Sequence, residues 1–180
     1  MRLRCGHGAG AATAWGGGTE MAIAIGERIP DVKVKTVTGE GIRDLSTTDL
    51  CRGKKVVLFG VPGAYTGTCS TRHLPGFIEM ADQIKARGVD VVACTAVNDI
   101  HVLRAWAREH EAGDKVEMLA DGNGDLARAM GLELDARAFG MGHRSRRYAA
   151  VIDDGVIVSL AVDEPGEVTG SGAEAVLRSL

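Results

Sequence analysis

The sequence predicts an α/β fold in which a mixed central sheet carries helices on both faces. Three observations predict it. Val56–Phe59 and Val89–Val97 are short, β-branched, apolar runs, the pattern of parallel strands covered on both sides. Each is followed by apolar residues at helical spacing: Leu74, Phe77, Ile78, Ala81 and Ile84 after the first, Ile100, Leu103, Trp106 and Ala107 after the second. Asp153-Asp154-Gly155 then separates two more apolar runs, a strong hairpin signal. Right-handed crossovers between the parallel strands place helices on the sheet faces, and the hairpin makes the sheet mixed.

The elements follow in order. Residues 1–20, MRLRCGHGAGAATAWGGGTE, are Gly/Ala-rich and offer little to bury, so they read as a disordered extension. They carry no amphipathic stripe and no apolar secretory core. One domain is expected over 21–180, because 180 residues fill one core and are too few for two ordinary domains. Asp31–Val37 alternates as a half-exposed strand, and Gly39-Glu40-Gly41 reads as a turn. Ser46 or Thr47 can cap a short helix through Leu50, with Cys51 as a packing residue at its end.

Val56–Phe59 is broken by Gly60, Pro62 and Gly63, and a helical pattern starts near Thr66. Pro75 should kink that helix or mark a late start, and Gly88 should close it in a left-handed cap. Val89–Val97 contains Cys94. Asn98-Asp99 caps the next helix, and Gly113 is expected to stop it. Val116–Leu119 reads as a third strand, Asp121–Gly124 as a turn, and Asp125–Met130 as a helix. Tyr148–Ile152 and Val156–Ala161 form the hairpin, and Ser171 is expected to cap a last helix ending at Leu180. The layout is thioredoxin-like. In such sheets ligands bind beyond the carboxyl ends of the parallel strands.

Composition excludes several function classes. A net charge of −3 gives no basic footprint for nucleic acid. No apolar run approaches the length of a membrane span. Cys5, Cys51, Cys69 and Cys94 are too scattered for a disulfide framework, and none has zinc-site spacing. Gly122-Asn123-Gly124-Asp125-Leu126-Ala127 fits a dinucleotide motif. The acidic residue such a site needs at the end of a following strand is missing, so a plain turn explains it. His110 and His143 read as surface residues.

The chemistry concentrates in Lys54–Phe77, KKVVLFGVPGAYTGTCSTRHLPGF. Cys69 falls where a strand hands over to a helix, and a helix start favours an anion. The thiolate is the reactive form of cysteine. Pro62, Thr66 and Cys69 make P-x-x-x-T-x-x-C, which sets Thr66 and Cys69 on one side of a first helical turn. The Thr66 hydroxyl could donate to the thiolate or to a substrate oxygen, or accept from a substrate hydroxyl. Arg144, Arg146 and Arg147 are candidate cations, and His73, one turn on, is candidate polar support.

VPGAYTGTCSTRHLPGF resembles the active-site signature of the peroxiredoxins, in the type II branch that includes the atypical two-cysteine enzymes. VNDIHVLRAWA, LADGNGDLARAMGLELD and GHRSRRYAAVIDDGV resemble further blocks of that branch, so the resemblance runs from about Ile25 to Leu180. It implies that Cys69 is the peroxidatic cysteine, with Thr66 its hydroxyl partner and Pro62 its shield. It assigns the catalytic arginine to Arg147 rather than Arg144 or Arg146. Gly67 departs from the family's usual proline, and Tyr65 from its commoner phenylalanine.

The activity implied is thiol-dependent reduction of hydrogen peroxide and small alkyl hydroperoxides through a Cys69 sulfenic acid, serving antioxidant defence and redox homeostasis. No metal, haem or flavin cofactor is implied. Cys94 stands where plant-type members carry a second cysteine and is a possible resolving residue. EPGEVTGSGAEAV has none. Otherwise glutaredoxin, glutathione or thioredoxin is the reductant. A homodimer in the cytoplasm, with organellar targeting by the Arg2- and Arg4-bearing N-terminal extension as the alternative, and without nucleic-acid or membrane partners, completes the expectation. A redox sensor using Cys69 is the rival reading, and a thioredoxin-like exchanger is disfavoured by the missing CxxC motif.

Overall fold

A computed structural model describes residues 21–38 and 41–180. The expected disordered extension lies outside the described residues, as do Gly39 and Glu40 of the expected turn. Strands β1 (Lys33–Thr38), β2 (Gly41–Ser46), β3 (Lys55–Val61), β4 (Val91–Ala96), β5 (Glu117–Ala120), β8 (Tyr148–Asp153) and β9 (Val156–Val162) form one sheet in the order β2-β1-β5-β4-β3-β8-β9. β6 (Glu133–Asp135) and β7 (His143–Ser145) make a separate ribbon. β3, β4 and β5 are parallel; β1 and β8 flank them antiparallel, and β2 and β9 lie outermost.

The pleat of β3 sends Val57, Phe59 and Val61 to one face and Val56 and Leu58 to the other. The first face packs under α2 (Leu74–Ala86), α3 (Ile100–Glu109) and α5 (Ala173–Ser179) through Phe77, Ile84, Leu103, Trp106 and Val176. The second packs against α1 (Thr47–Cys51) and α4 (Asp125–Ala129) through Leu50, Cys51, Leu126 and Met130. The mixed sheet with helices on both faces is the thioredoxin-like arrangement.

Several local expectations need correction. The segment expected as a turn and a cap forms β2, which pairs with β1 from Lys33↔Ser46 to Thr38↔Gly41. As an edge strand it needs no apolar face, and its Ile42 is exposed. Ser46 does cap α1, accepting from Thr48 N and Asp49 N. Gly113 does not stop α3: the helix ends at Glu109, and Glu111 takes the left-handed turn with φ 54°. Ser171 does not cap α5; Gly172 stands at that position without a side-chain bond. His110 is half-buried and sets its edge on Trp106, with ring centroids 5.6 Å apart. His143 is exposed on β7.

Two features bring distant residues to one end of the sheet. The parallel strands β3 and β4 finish side by side at Val61 and Ala96. β8 runs the other way and pairs Tyr148 with Gly60, so residue 147 lies beside the exit of β3. Close approach is possible only because position 60 is glycine: a Cβ there would sit 2.1 Å from Tyr148 Cε1.

Candidate active site

The loop leaving β3 is held before the helix begins. Ala64 N donates to Asn98 Oδ1 at 3.0 Å, and Thr66 Oγ1 donates to Gly63 O at 2.8 Å. Pro62, half-buried, opens this loop. The helix then starts just before Cys69, and Ser70 N donates to Thr66 O at 3.0 Å. Cys69–His73 is a π-helical turn that passes straight into α2. Pro75 cannot donate to a preceding carbonyl, and a widened turn is one way a helix accommodates that. The expected kink or late start is therefore a π turn, and it carries Cys69 and His73 to the buried side.

Cys69 is almost fully buried, at 1% exposure. Arg147, also buried, directs Nη2 to the Cys69 sulfur at 3.3 Å. Its Nη1 donates to His73 Nδ1 at 3.0 Å. His73 must then carry its proton on Nε2, which meets Ser171 O at 2.9 Å. Burial pushes the His73 imidazole down to about 4, and the Arg147 charge adds to this, outweighing the Ser171 bond. The ring is neutral at pH 7, and it leaves the guanidinium as the cation at the sulfur. The third nitrogen, Arg147 Nε, is buried with no hydrogen-bond partner among the described residues.

The resemblance placed Thr66, Cys69 and Arg147 in one site, and the structure sets Arg147 against Cys69, with Thr66 three residues before it. Thr66 differs in one respect. Its single proton goes to Gly63 O, so toward the sulfur side it offers lone pairs and not a donor. Arg144 is engaged elsewhere, donating to Val97 O at 3.1 Å and Met141 O at 2.8 Å. The bridging role of His73 was visible only as spacing. Ser171 and Asn98 join the site through long-range contacts that left no sequence signal.

The other cysteines differ in surroundings. Cys51 is fully buried, and burial pushes its thiol up to about 11. Cys94 lies in the middle of β4, level with Phe59 and Met118 on the neighbouring strands. Burial pushes its thiol well above the ordinary value, and Cys69 adds to the shift. An open groove of about 840 Å³, lined by Val37, Arg43, Arg104, Arg108 and Met118 among others, includes none of the residues around Cys69. The dinucleotide reading fails on geometry as well. The Asp121 carboxylate occupies Leu126 N and Ala127 N at 3.0 and 2.9 Å, the donors a phosphate would need.

A thioredoxin-like sheet with a buried cysteine and arginine at the ends of its parallel strands defines a thiol-redox protein. Comparison with known proteins narrows the class. The Redoxin family matches residues 24–177. Peroxiredoxin-2C of Oryza sativa subsp. japonica is 45% identical over 159 residues, covering 88% of this chain and 98% of its own. Peroxiredoxin-2E, chloroplastic, of Arabidopsis thaliana is 42% identical, covering 88% of this chain and 70% of its own. The crystal structure of reduced Prx3 in complex with H2O2 from Vibrio vulnificus superposes with a TM-score of 0.84 at 46% identity, covering 87% of this chain and 98% of that one. The chain belongs to the peroxiredoxins, in their type II branch, and is a thiol-dependent peroxidase of antioxidant function.

Proposed function

We propose that this peroxiredoxin reduces hydrogen peroxide and small alkyl hydroperoxides at Cys69. The observation that carries the reading is the unpartnered Nε of Arg147. Nε and Nη2 form one edge of the guanidinium fork, and Nη2 already points at the sulfur. A peroxide oxygen lying against the sulfur would take the free donor. The Cys69 thiolate attacks that oxygen, the S–O bond forms as the O–O bond breaks, and hydroxide or alkoxide leaves with the electron pair. Arg147 stabilises the charge as it moves from sulfur to the leaving oxygen. Thr66 accepts the peroxide hydrogen bond, and Pro62 walls the thiolate from water. The Vibrio vulnificus relative, described as a complex with hydrogen peroxide, supports the choice of substrate.

The product is a sulfenic acid on Cys69, the reversible first stage of oxidation. An external thiol from glutaredoxin, glutathione or thioredoxin displaces its hydroxyl as water and leaves a mixed disulfide, which a second thiol reduces. Cys94 is disfavoured as the resolving group. It is completely buried in a strand paired on both sides, and its thiol stays protonated. The working unit in this proposal is a cytoplasmic homodimer joined near the active-site loop, where Tyr65 exposes half its surface.

One equivalent of hydrogen peroxide, followed by intact mass, tests both steps. The expected product carries one added oxygen on Cys69 and is unchanged by Cys94→Ser. Loss of two protons that disappears with Cys94→Ser would instead make Cys94 the resolving residue. Near-normal peroxide turnover by Cys69→Ser would remove the assignment altogether.

A further inference from the structure

The guanidinium of Arg147 is aimed at the sulfur by a chain of buried contacts that ends on a residue far from the reacting atoms. His73 accepts from Nη1 at 3.0 Å, and Ser171 O fixes the far side of the ring at 2.9 Å. Ser171 Oγ lies 3.3 Å from the same ring nitrogen. That hydroxyl gives its proton to Asp163 Oδ2 at 2.6 Å, so toward His73 it too is an acceptor. Asp163 also takes Ser171 N, Gly170 N, Thr169 N and Thr169 Oγ1. The carboxylate is thus the hub of the loop after β9. Burial pushes it up, but the bonds from Ser171 and Thr169 outweigh burial and hold it below the ordinary carboxylate value.

Asp163 holds the other end of Arg147 as well. Its backbone N–H donates to Arg147 O at 3.0 Å, one step beyond the β8–β9 register pair Tyr148↔Val162. The arginine is gripped at its backbone and at its guanidinium, and both grips trace to one residue. Gly170 completes the loop: a Cβ there would meet Ala161 Cβ at 3.2 Å and Asp163 Oδ1 at 3.4 Å. In a low-dielectric interior such linked hydrogen bonds strengthen one another and hold the groups they join, here Asp163, Ser171, His73 and Nη1 of Arg147. Misplacing a reacting group by about 1 Å can cost on the order of a hundredfold in rate.

We propose that Asp163 is a positioning residue for peroxide reduction, acting on Arg147 through Ser171 and His73. This rests on the peroxidase reading of Cys69. It predicts that Asp163→Asn, which replaces an acceptor by a donor facing the Ser171 hydroxyl, slows Cys69 oxidation by roughly tenfold to a hundredfold. The measurement is single-turnover oxidation by hydrogen peroxide, alongside far-ultraviolet circular dichroism and a cooperative melt to establish folding.

A residue that only stabilises the fold would leave the rate of the folded protein unchanged, and one that affects the rate independently of Arg147 would lower it by the same factor in any background. A residue that acts through Arg147 would not. In the Arg147→Gln background, Asp163→Asn is therefore expected to cause no further loss. His73→Asn is the second variant. Its amide oxygen can still accept from Arg147, but its side chain is too short to reach Ser171, so a loss in the same range is expected. It also decides the matter if Asp163→Asn does not fold. A rate within about twofold of wild type in folded variants, or an equal proportional loss in the Arg147→Gln background, would overturn the proposal. Cys69→Ser is the separate control: activity surviving there would fault the peroxidase reading instead.

Discussion

At the scale of single residues, the site depends on one guanidinium with three different assignments. Nη2 faces the sulfur, Nη1 is tied to His73, and Nε is open. A lysine could supply the charge but not this fork. Cys51 and Cys94 are equally buried, but among the described residues no guanidinium is hydrogen-bonded to their sulfurs, and burial pushes their thiols up. Arg147→Gln keeps a hydrogen-bond donor and loses the charge and the fork. We expect the single-turnover oxidation of Cys69 to slow by about a hundredfold or more, as when a preorganised transition-state donor is removed. The variant should retain its fold, since glutamine can satisfy His73 with its amide N–H. A rate within about threefold of wild type would mean that Arg147 does not stabilise the moving charge.

At the scale of elements, the chain shows what sequence can and cannot disclose. β3 and β4 were legible as unbroken β-branched apolar runs, and α2 and α3 as apolar faces repeating at helical spacing. β2 was not, being largely exposed with no periodic face, and β6 and β7 were not, being only three residues each. Pro75 signalled a helix irregularity but not its form, because a π turn depends on what the widened side packs against. Ser171 misled for a related reason. A serine before an Ala/Glu run looks like a helix cap, yet Asp163, eight residues earlier, captures its hydroxyl. Such a competitor has no local signature. The pairing of Cys69 with Arg147 was readable only through family resemblance, since it depends on the antiparallel register of β3 with β8. That register carries its own prediction. Gly60→Ala puts a methyl 2.1 Å from the Tyr148 ring, inside a strand paired on both sides. Overpacking of this kind costs about 1–3 kcal/mol or more. Urea unfolding should register at least about 2 kcal/mol, and a smaller loss would mean that β8 can slide away without cost.

At the scale of the whole molecule, the active site and global stability share a residue. His73 joins α2, β8 and the loop before α5, and its ring packs at a tilt against the stacked pair Phe59 and Phe77, at centroid distances of 5.1 and 5.6 Å. Folded, it takes up a proton only near pH 4; unfolded, it does so near pH 6.5. Between those values the unfolded chain binds the extra proton, so stability falls as the pH drops. The contribution is complete above about pH 6.5 and has fallen by about 3 kcal/mol once the folded value is reached. Asp163 acts in the same direction at lower pH, since its depressed carboxyl contributes stability that is lost only as pH falls below the ordinary carboxylate value of 3.8. Protonating His73 would also place a positive ring against the Arg147 guanidinium and remove the acceptor that orients it. Melting temperature should therefore decline between about pH 6.5 and pH 4.5 in the wild type, while the loss of single-turnover rate from this protonation sets in only as the pH approaches about 4. In His73→Asn, which has no group titrating there at this position, the melting temperature should decline less steeply over the same interval. Parallel slopes in the two proteins would show that the imidazole is not the linked group, and that the coupling between fold and site runs through some other titration.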